Sequence, residues 1–275
     1  MNISVVGLGL IGASFCRAIK KNTSHTVIGF DIDTAVTNVA AKDGVIDRIG
    51  SDADLLVTDL TIVALYPQAA EDFICSRAGS FKKGSIVIDT CGIKRQICEK
   101  LDPFCAENGF HFIGAHPMAG KETSGYHAST PDLFENAYMI FTPKQPDDPN
   151  MSVLTELANA LGFRNVTITT PEEHDRIIAY TSQLPHVLAC AYISDPDAKL
   201  HTGFSAGSYK DVSRVAKINA GLWTELFLCN KDYLSGHIKL LIENLLKLDA
   251  CIETGDQDTL FNMLQHANEV KNRIG

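Results

Sequence analysis

Eight cysteines are scattered along the 275 residues, yet no two of them stand in a C-x-x-C pair. No His/Cys grouping has the spacing of a zinc site either. Reduced thiols and no metal are therefore expected. The chain also lacks any apolar run near the ~18 residues needed to cross a bilayer, and it has no internal repeat and no low-complexity tract. It carries 24 basic against 33 acidic residues, a formal net charge of -9, and no local cluster of Lys and Arg. A concentrated basic face is what nucleic acid or an anionic membrane surface requires. Neither partner is expected, and any anionic ligand must be met by a few well-placed cations. The first residues run straight into ISVVGLGLIG with no basic n-region or cleavage site, so no secretory signal is read and a cytoplasmic protein is expected.

What is present is globular: 45% hydrophobic and 21% charged residues, with length enough for two domains. Short apolar runs (ISVV, TVIGFDI, LLVTDLTIVAL, SIVIDT, FHFIGAH and NVTITT) alternate with segments of helical spacing. Strands alternating with helices predict a parallel, doubly wound sheet. TPKQPDDPN, residues 142–150, is a Pro- and Asp-rich loop. Beyond Thr169 the strand signal disappears, and Thr170-Pro171-Glu172-Glu173 suits a helix start. The expected fold is thus α/β: a Rossmann-type sheet domain over 1–169, followed by an all-helical domain over 170–275. In the latter, HIKLLIENLLKLDACI places Ile238, Leu241, Ile242, Leu245, Leu246 and Leu248 on one apolar stripe, broad enough to continue into a second subunit.

GLGLIG follows the first predicted strand and opens a predicted helix, the context that gives a G-x-G-x-x-G pattern meaning. Gly7 permits the tight turn, Gly9 lets backbone amides approach a pyrophosphate, and Gly12 allows close helix–strand packing. The helix N-terminus offers N–H groups to the anion. Asp31, at the end of the second strand, suits a ribose and repels a 2'-phosphate, so NAD is favoured over NADP. Leu8, Leu10 and Ile11 between the glycines and Thr90 after SIVID complete the expected cofactor contacts.

GAHPMAGKE places His116 at a strand's C-terminal end, where open α/β sheets bind ligands. Gly114, Ala115, Ala119 and Gly120 are small and would leave room beside the ring. A neutral imidazole there can take a proton from a hydroxyl while hydride leaves the same carbon. His174 and Asp175, next to two glutamates, are either a helix-end electrostatic cluster or part of a site.

The blocks VVGLGLIGAS, GFDID, VIDTCGIK, GAHPMAGKETSG, LFENAYMIFTP, EEHDRIIAYTSQLPH, SYKDVSRVAK and LWTELFLCNKD, in that order, make the whole chain resemble the prephenate and arogenate dehydrogenases. The resemblance implies oxidation of prephenate by NAD with loss of the ring carboxylate, giving 4-hydroxyphenylpyruvate for tyrosine formation. It implies His116 as the catalytic histidine, Arg214 as a carboxylate-binding cation and His186 near the substrate, with Lys121, Glu122 and Ser124 beside them and Asp211 available to orient Arg214. It also implies a homodimer formed through the helical domain. One position departs: where many relatives have a serine beside the catalytic histidine, this chain has Gly92. Thr90, Cys91, Ser124 or water then takes over that hydrogen bond, or the two patterns are offset by one residue. Two other readings remain: a hydroxyacid-type two-domain dehydrogenase, and an NAD-binding sensor that has lost the reaction.

Overall fold

A computed structural model describes residues 1–274. Eight strands, β1 (Asn2–Val6), β2 (Thr26–Phe30), β3 (Arg48–Ile49), β4 (Leu60–Val63), β5 (Ile86–Asp89), β6 (His111–Pro117), β7 (Tyr138–Thr142) and β8 (Asn165–Ile168), form one sheet in the order β3-β2-β1-β4-β5-β6-β7-β8. The first six positions are the doubly wound order, with its switch point between β1 and β4. β6 and β7 pair antiparallel, with Gly114 opposite Thr142 and His116 opposite Ile140, and β8 runs parallel to β7. The expected all-parallel sheet is therefore corrected at one edge. A run of alternating apolar residues specifies a strand but not its direction.

Helices α1 (Leu10–Asn22), α2 (Thr34–Lys42), α3 (Asp52–Leu55), α4 (Pro67–Ser76), α5 (Arg95–Glu107) and α6 (Met151–Ala160) cover the sheet. Successive strand residues face opposite sides, and two cores result. Ile3, Val5, Ile62 and Ile88 pack with Phe15 of α1 and Leu154 and Leu157 of α6. Val6, Val63 and Val87 pack with Ile74 of α4 and Ile97 and Leu101 of α5. The expected strand in LLVTDLTIVAL is only β4, because Ser51 and Asp54 form a capping box that turns the preceding residues into α3.

From Pro171 on the chain is helical: α7 (Pro171–Ile178), a π-turn over Ala179–Gln183, α8 (Leu184–Ile193), α9 (Gly207–Ser213), α10 (Ala220–Cys229), α11 (Lys231–Thr254) and α12 (Gln257–Ile274). The apparently continuous pattern from Gly221 to Gly255 is interrupted at Asn230, whose backbone leaves helical geometry (φ -120°, ψ 26°). Its buried amide instead donates to the Asp175 carbonyl and to Gln183 Oε1. Packing decided what periodicity could not. Among the described residues no helix is long and apolar enough to cross a membrane.

Candidate active site

A cavity of about 880 Å³ lies at the C-terminal ends of β1, β4, β5 and β6. The sheet side supplies Gly9, Leu10, Ile11, Thr90, Gly92 and His116, and the loop after β6 supplies Lys121, Glu122 and Ser124. The helical part closes it with Ser182, His186, Arg214 and Lys217, among others. The expected substrate-contacting residues thus share one cavity with part of the glycine loop.

The glycine loop has the form a dinucleotide needs. Gly7 sits at φ +85°, and a Cβ there would stand 2.5 Å from the Ala64 carbonyl oxygen. A Cβ on Gly12 would stand 1.8 Å from the Gly7 oxygen, whereas one on Gly9 meets nothing within 4 Å. Gly7 and Gly12 therefore let helix and strand approach, and Gly9 leaves open space where α1 begins. No side chain caps that N-terminus, so its first amides are available to an anion. Leu8 turns its side chain into the core, and its backbone N–H donates to Asp31 Oδ2 at 2.7 Å. Asp33 N–H donates to Asp31 Oδ1 at 2.9 Å. The Asp31 carboxylate is thereby fixed in orientation beside the loop, with lone pairs left for ribose hydroxyls.

His116 is the penultimate residue of β6. Its Nδ1 lies 2.9 Å from His174 Nε2, and His174 Nδ1 lies 2.7 Å from Asp175 Oδ1. A carboxylate can only accept, so His174 Nδ1 carries the proton and its Nε2 accepts one from His116 Nδ1–H. That leaves His116 Nε2 with its lone pair. Asp175 also accepts the backbone N–H groups of Lys94 (2.7 Å) and Arg95 (2.9 Å) at the start of α5. Burial opposes its charge, but the bonds from His174 and from these two amides outweigh that and hold its carboxyl below the ordinary range. Burial pushes His116 well below the usual imidazole value, and His174 and the Lys94 charge push the same way. His116 is therefore a neutral ring at pH 7, tied through His174 to a carboxylate. His174 and Asp175 belong to the site and are not merely a helix-end cluster. Their role was not legible because the partner lies 58 residues away.

At the cavity rim Arg214 Nη1 donates to Glu122 Oε1, and both side chains are largely exposed. Glu122, and not the expected Asp211, is thus the acid that orients Arg214. His186 lies against Trp223, ring centroids 3.8 Å apart, and its Nδ1 lies 2.7 Å from the Val215 carbonyl oxygen. Lys217 adds a further cation to the cavity wall, and its charge acts on Glu122. The walls carry Lys121, Arg214 and Lys217 against one acid, Glu122, which supplies locally the positive charge that the whole chain lacks. Gly92 lies at the base, where a Cβ would meet Leu226 at 3.4 Å and His116 Cε1 at 4.0 Å.

Sequence reasoning overlooked Ser182, Lys217 and Trp223. The π-turn that carries Ser182 inserts one extra residue into a helix, an irregularity often found at functional sites and invisible to a 3.6-residue pattern. Gly114 is also corrected: its missing Cβ makes room for Lys94, Cys98 and Thr142 and not for a ligand, while Ala115 is fully buried in the core. Only Ala119 and Gly120 of that set line the cavity.

A glycine-loop helix N-terminus with an acid fixed beside it, and a neutral histidine opening on the cavity that this N-terminus enters, are the features of a dinucleotide-dependent dehydrogenase with a helical second part. Comparison with known proteins narrows the class. A family model described as "Prephenate dehydrogenase, nucleotide-binding domain" matches residues 15–167, and one described as "Prephenate dehydrogenase, dimerization domain" matches residues 170–266. The chain belongs to the prephenate dehydrogenase family. It is 29% identical over 283 residues to the prephenate dehydrogenase of Bacillus subtilis, covering 99% of this chain and 76% of that one. The structure of Aquifex aeolicus prephenate dehydrogenase in complex with hydroxyphenyl propionate and NAD+ superposes with a TM-score of 0.88 at 25% identity, covering 100% of this chain and 98% of that one. Synechocystis arogenate dehydrogenase gives 0.83 at 26% identity, with both chains covered in full.

Proposed function

We propose that this chain catalyses the oxidative decarboxylation of prephenate to 4-hydroxyphenylpyruvate, on the path to tyrosine, with NAD as oxidant, as a cytoplasmic homodimer whose sheet domain spans 1–169 and helical domain 170–275. The observation that carries the reading is the Asp175–His174–His116 chain ending, with a free Nε2, in the cavity that also receives the start of α1. Gly7, Gly9, Gly12 and the amides of Leu10 and Ile11 hold the pyrophosphate, Asp31 the ribose, and Thr90 borders the same space. When bound, NAD supplies the acceptor for the hydride leaving the carbon that bears the substrate hydroxyl.

His116 Nε2 takes the hydroxyl proton. The positive charge that develops on the ring is met by the His174 lone pair and, through His174, by Asp175, an arrangement that also fixes tautomer and orientation. Arg214, held by Glu122, presents its planar fork to a substrate carboxylate. Lys121 and Ser124 stand on the same wall. Loss of the ring carboxylate as carbon dioxide aromatises the ring and drives the step. With Gly92 contributing no hydroxyl, the substrate hydroxyl is held by His116 and by groups such as Ser124 or Thr90 on the cavity wall.

A second reading has one observation in its favour. Val215 O can only accept, so His186 Nδ1 must donate to it. Burial, with the Arg214 charge, lowers the His186 pKa despite that bond. Its Nε2 is then an acceptor, which suits the ammonium of arogenate better than the keto oxygen of prephenate.

Purified protein mixed with NAD or NADP and either prephenate or arogenate, with reduced cofactor followed by absorbance, decides both points. Turnover with NAD is expected. Inertness toward both cyclohexadienyl substrates would sink the proposal, and tight NAD binding without product would leave a sensor.

The dimer reading draws on the helical hairpin. No residue of α12 is buried, and Ile242, Leu245, Leu246, Ile252, Phe261 and Leu264 are each at least 49% exposed. A patch of that extent on one surface marks an interface.

A further inference from the structure

Lys94 and Asp89 are both completely buried, joined by an ion pair, and absent from the cavity wall. Lys94 precedes the first turn of α5, where the helix dipole disfavours a cation. A buried pair is moreover weak as a stabilising device. Its contacts point elsewhere. Asp89 accepts the backbone N–H of Ala115, next to His116, at 3.0 Å, and that of Cys91, next to Gly92, at 2.9 Å. The backbone N–H of Lys94 holds Asp175 Oδ1. The lysine stem runs along β6 at Gly114, where any Cβ would come within 3.0 Å of its Cδ. One ion pair thus fixes both ends of the His116–His174–Asp175 chain.

We propose that Lys94 is a positioning residue for proton abstraction by His116: paired with Asp89, it anchors the strand and the helix start that carry the relay, and it places a permanent positive charge beside the two imidazoles. The proposal rests on His116 being the base. The charged groups acting on those rings are Lys94 on both, with Asp89 from β5 and Asp175 from α7 on His174; Cys91 from the turn after β5 and Cys98 from α5 lie close to the lysine, and His186 and Arg214 stand on the cavity wall. Burial pushes the Cys91 thiol far up and Cys98 to about 12, so neither thiol is charged. Burial disfavours the Lys94 charge, but Asp89 outweighs it and the ammonium persists. Burial and Lys94 both lower His174, against the pull of its bond to Asp175. The ammonium therefore works with burial to keep both rings unprotonated between turnovers.

Two measurements test this. In wild-type protein labelled with 15N-histidine, the His116 resonance, assigned by its loss in His116→Asn, is expected to remain that of a neutral ring well below pH 6.5; titration near 6.5 overturns the proposal. In Lys94→Met, the acid limb of kcat/KM for prephenate is expected to move up by about one pH unit, a tenfold loss at a fixed pH below it, with NAD affinity unchanged. Lys94→Arg keeps the charge and is expected to leave the limb in place. An unmoved limb in a folded Lys94→Met shows the lysine to be structural only. Should that variant not fold, Lys94→Gln, which removes the charge but keeps a hydrogen-bonding end for Asp89, is read by the same criterion. Wild-type protein without turnover would remove the reaction assignment instead, and the His116 titration compared between wild type and Lys94→Met would still decide the role of Lys94.

Discussion

The sheet part and the helical part of this chain treat their apolar surface in opposite ways. At the centre of the sheet β1, β4 and β5 are buried on both faces, and even an ion pair lies at 0% exposure. In the helical part α11 contributes only Leu234 and Cys251 to buried positions, and α12 none. The first part closes on itself. The second leaves a hairpin whose leucines face outward, so its stability depends on what covers them. The site lies across this division, and its two walls inherit the contrast: a buried, fixed relay below and an exposed, adjustable ion pair, Arg214 with Glu122, at the rim. On the proposed mechanism, chemistry falls to the rigid side and recognition to the yielding one.

That contrast breaks most visibly at His116. His116→Asn is expected to lower kcat by about 10² to 10⁴ while NAD binding, measured by fluorescence titration, stays within about twofold; equal losses in both would mean that the ring is architectural. On the uncovered hairpin, Leu246→Glu is expected to weaken self-association by about a hundredfold, since burying a leucine contributes ~1.5–3 kcal/mol. Sedimentation should show the monomer mass, and a wild type already monomeric would erase the distinction. Arg214→Gln is expected to raise KM for prephenate about tenfold with little change in kcat, the signature of lost ground-state binding. Gly92→Ser should be the mildest change. A Cβ there makes ordinary contacts with Leu226 and His116, so thermal denaturation should shift by only a few degrees and turnover by a few-fold.

Acidity offers a fifth way to sharpen the comparison. Burial lowers both His116 and His174 in the folded protein, whereas in the unfolded chain they take up protons near the ordinary value of ~6.5. Below that pH the unfolded state binds more protons, so stability falls as pH falls; above it these two groups leave stability unchanged. Urea midpoints at pH 7.5 and 5.5 should show the loss, and His116→Asn should reduce it.

Much of this architecture could be read from residues alone. Strand and helix alternation, the roles of Gly7 and Gly12, and the change of texture after Thr169 all follow from local pattern, because backbone sterics and periodicity are local. The direction of β7 and the break at Asn230 follow from tertiary pairing, which no short window contains. Within the site, His116, Arg214 and His186 were legible as a motif. Lys94 was not, since a lysine reads as a solvated side chain. The one available hint was its position just before a helix, where a cation is out of place. Arg95 illustrates the same limit: its guanidinium reaches Asp232 at 2.5 Å across 137 residues.

Asp175 belongs to α7, yet it caps α5 and steadies a ring on β6 by way of His174. Seam and base are consequently interlocked. On the proposed role of His116, a chain whose halves drift apart by the length of one hydrogen bond is disarmed while its glycine loop stays whole, its oxidant held with the trigger disconnected.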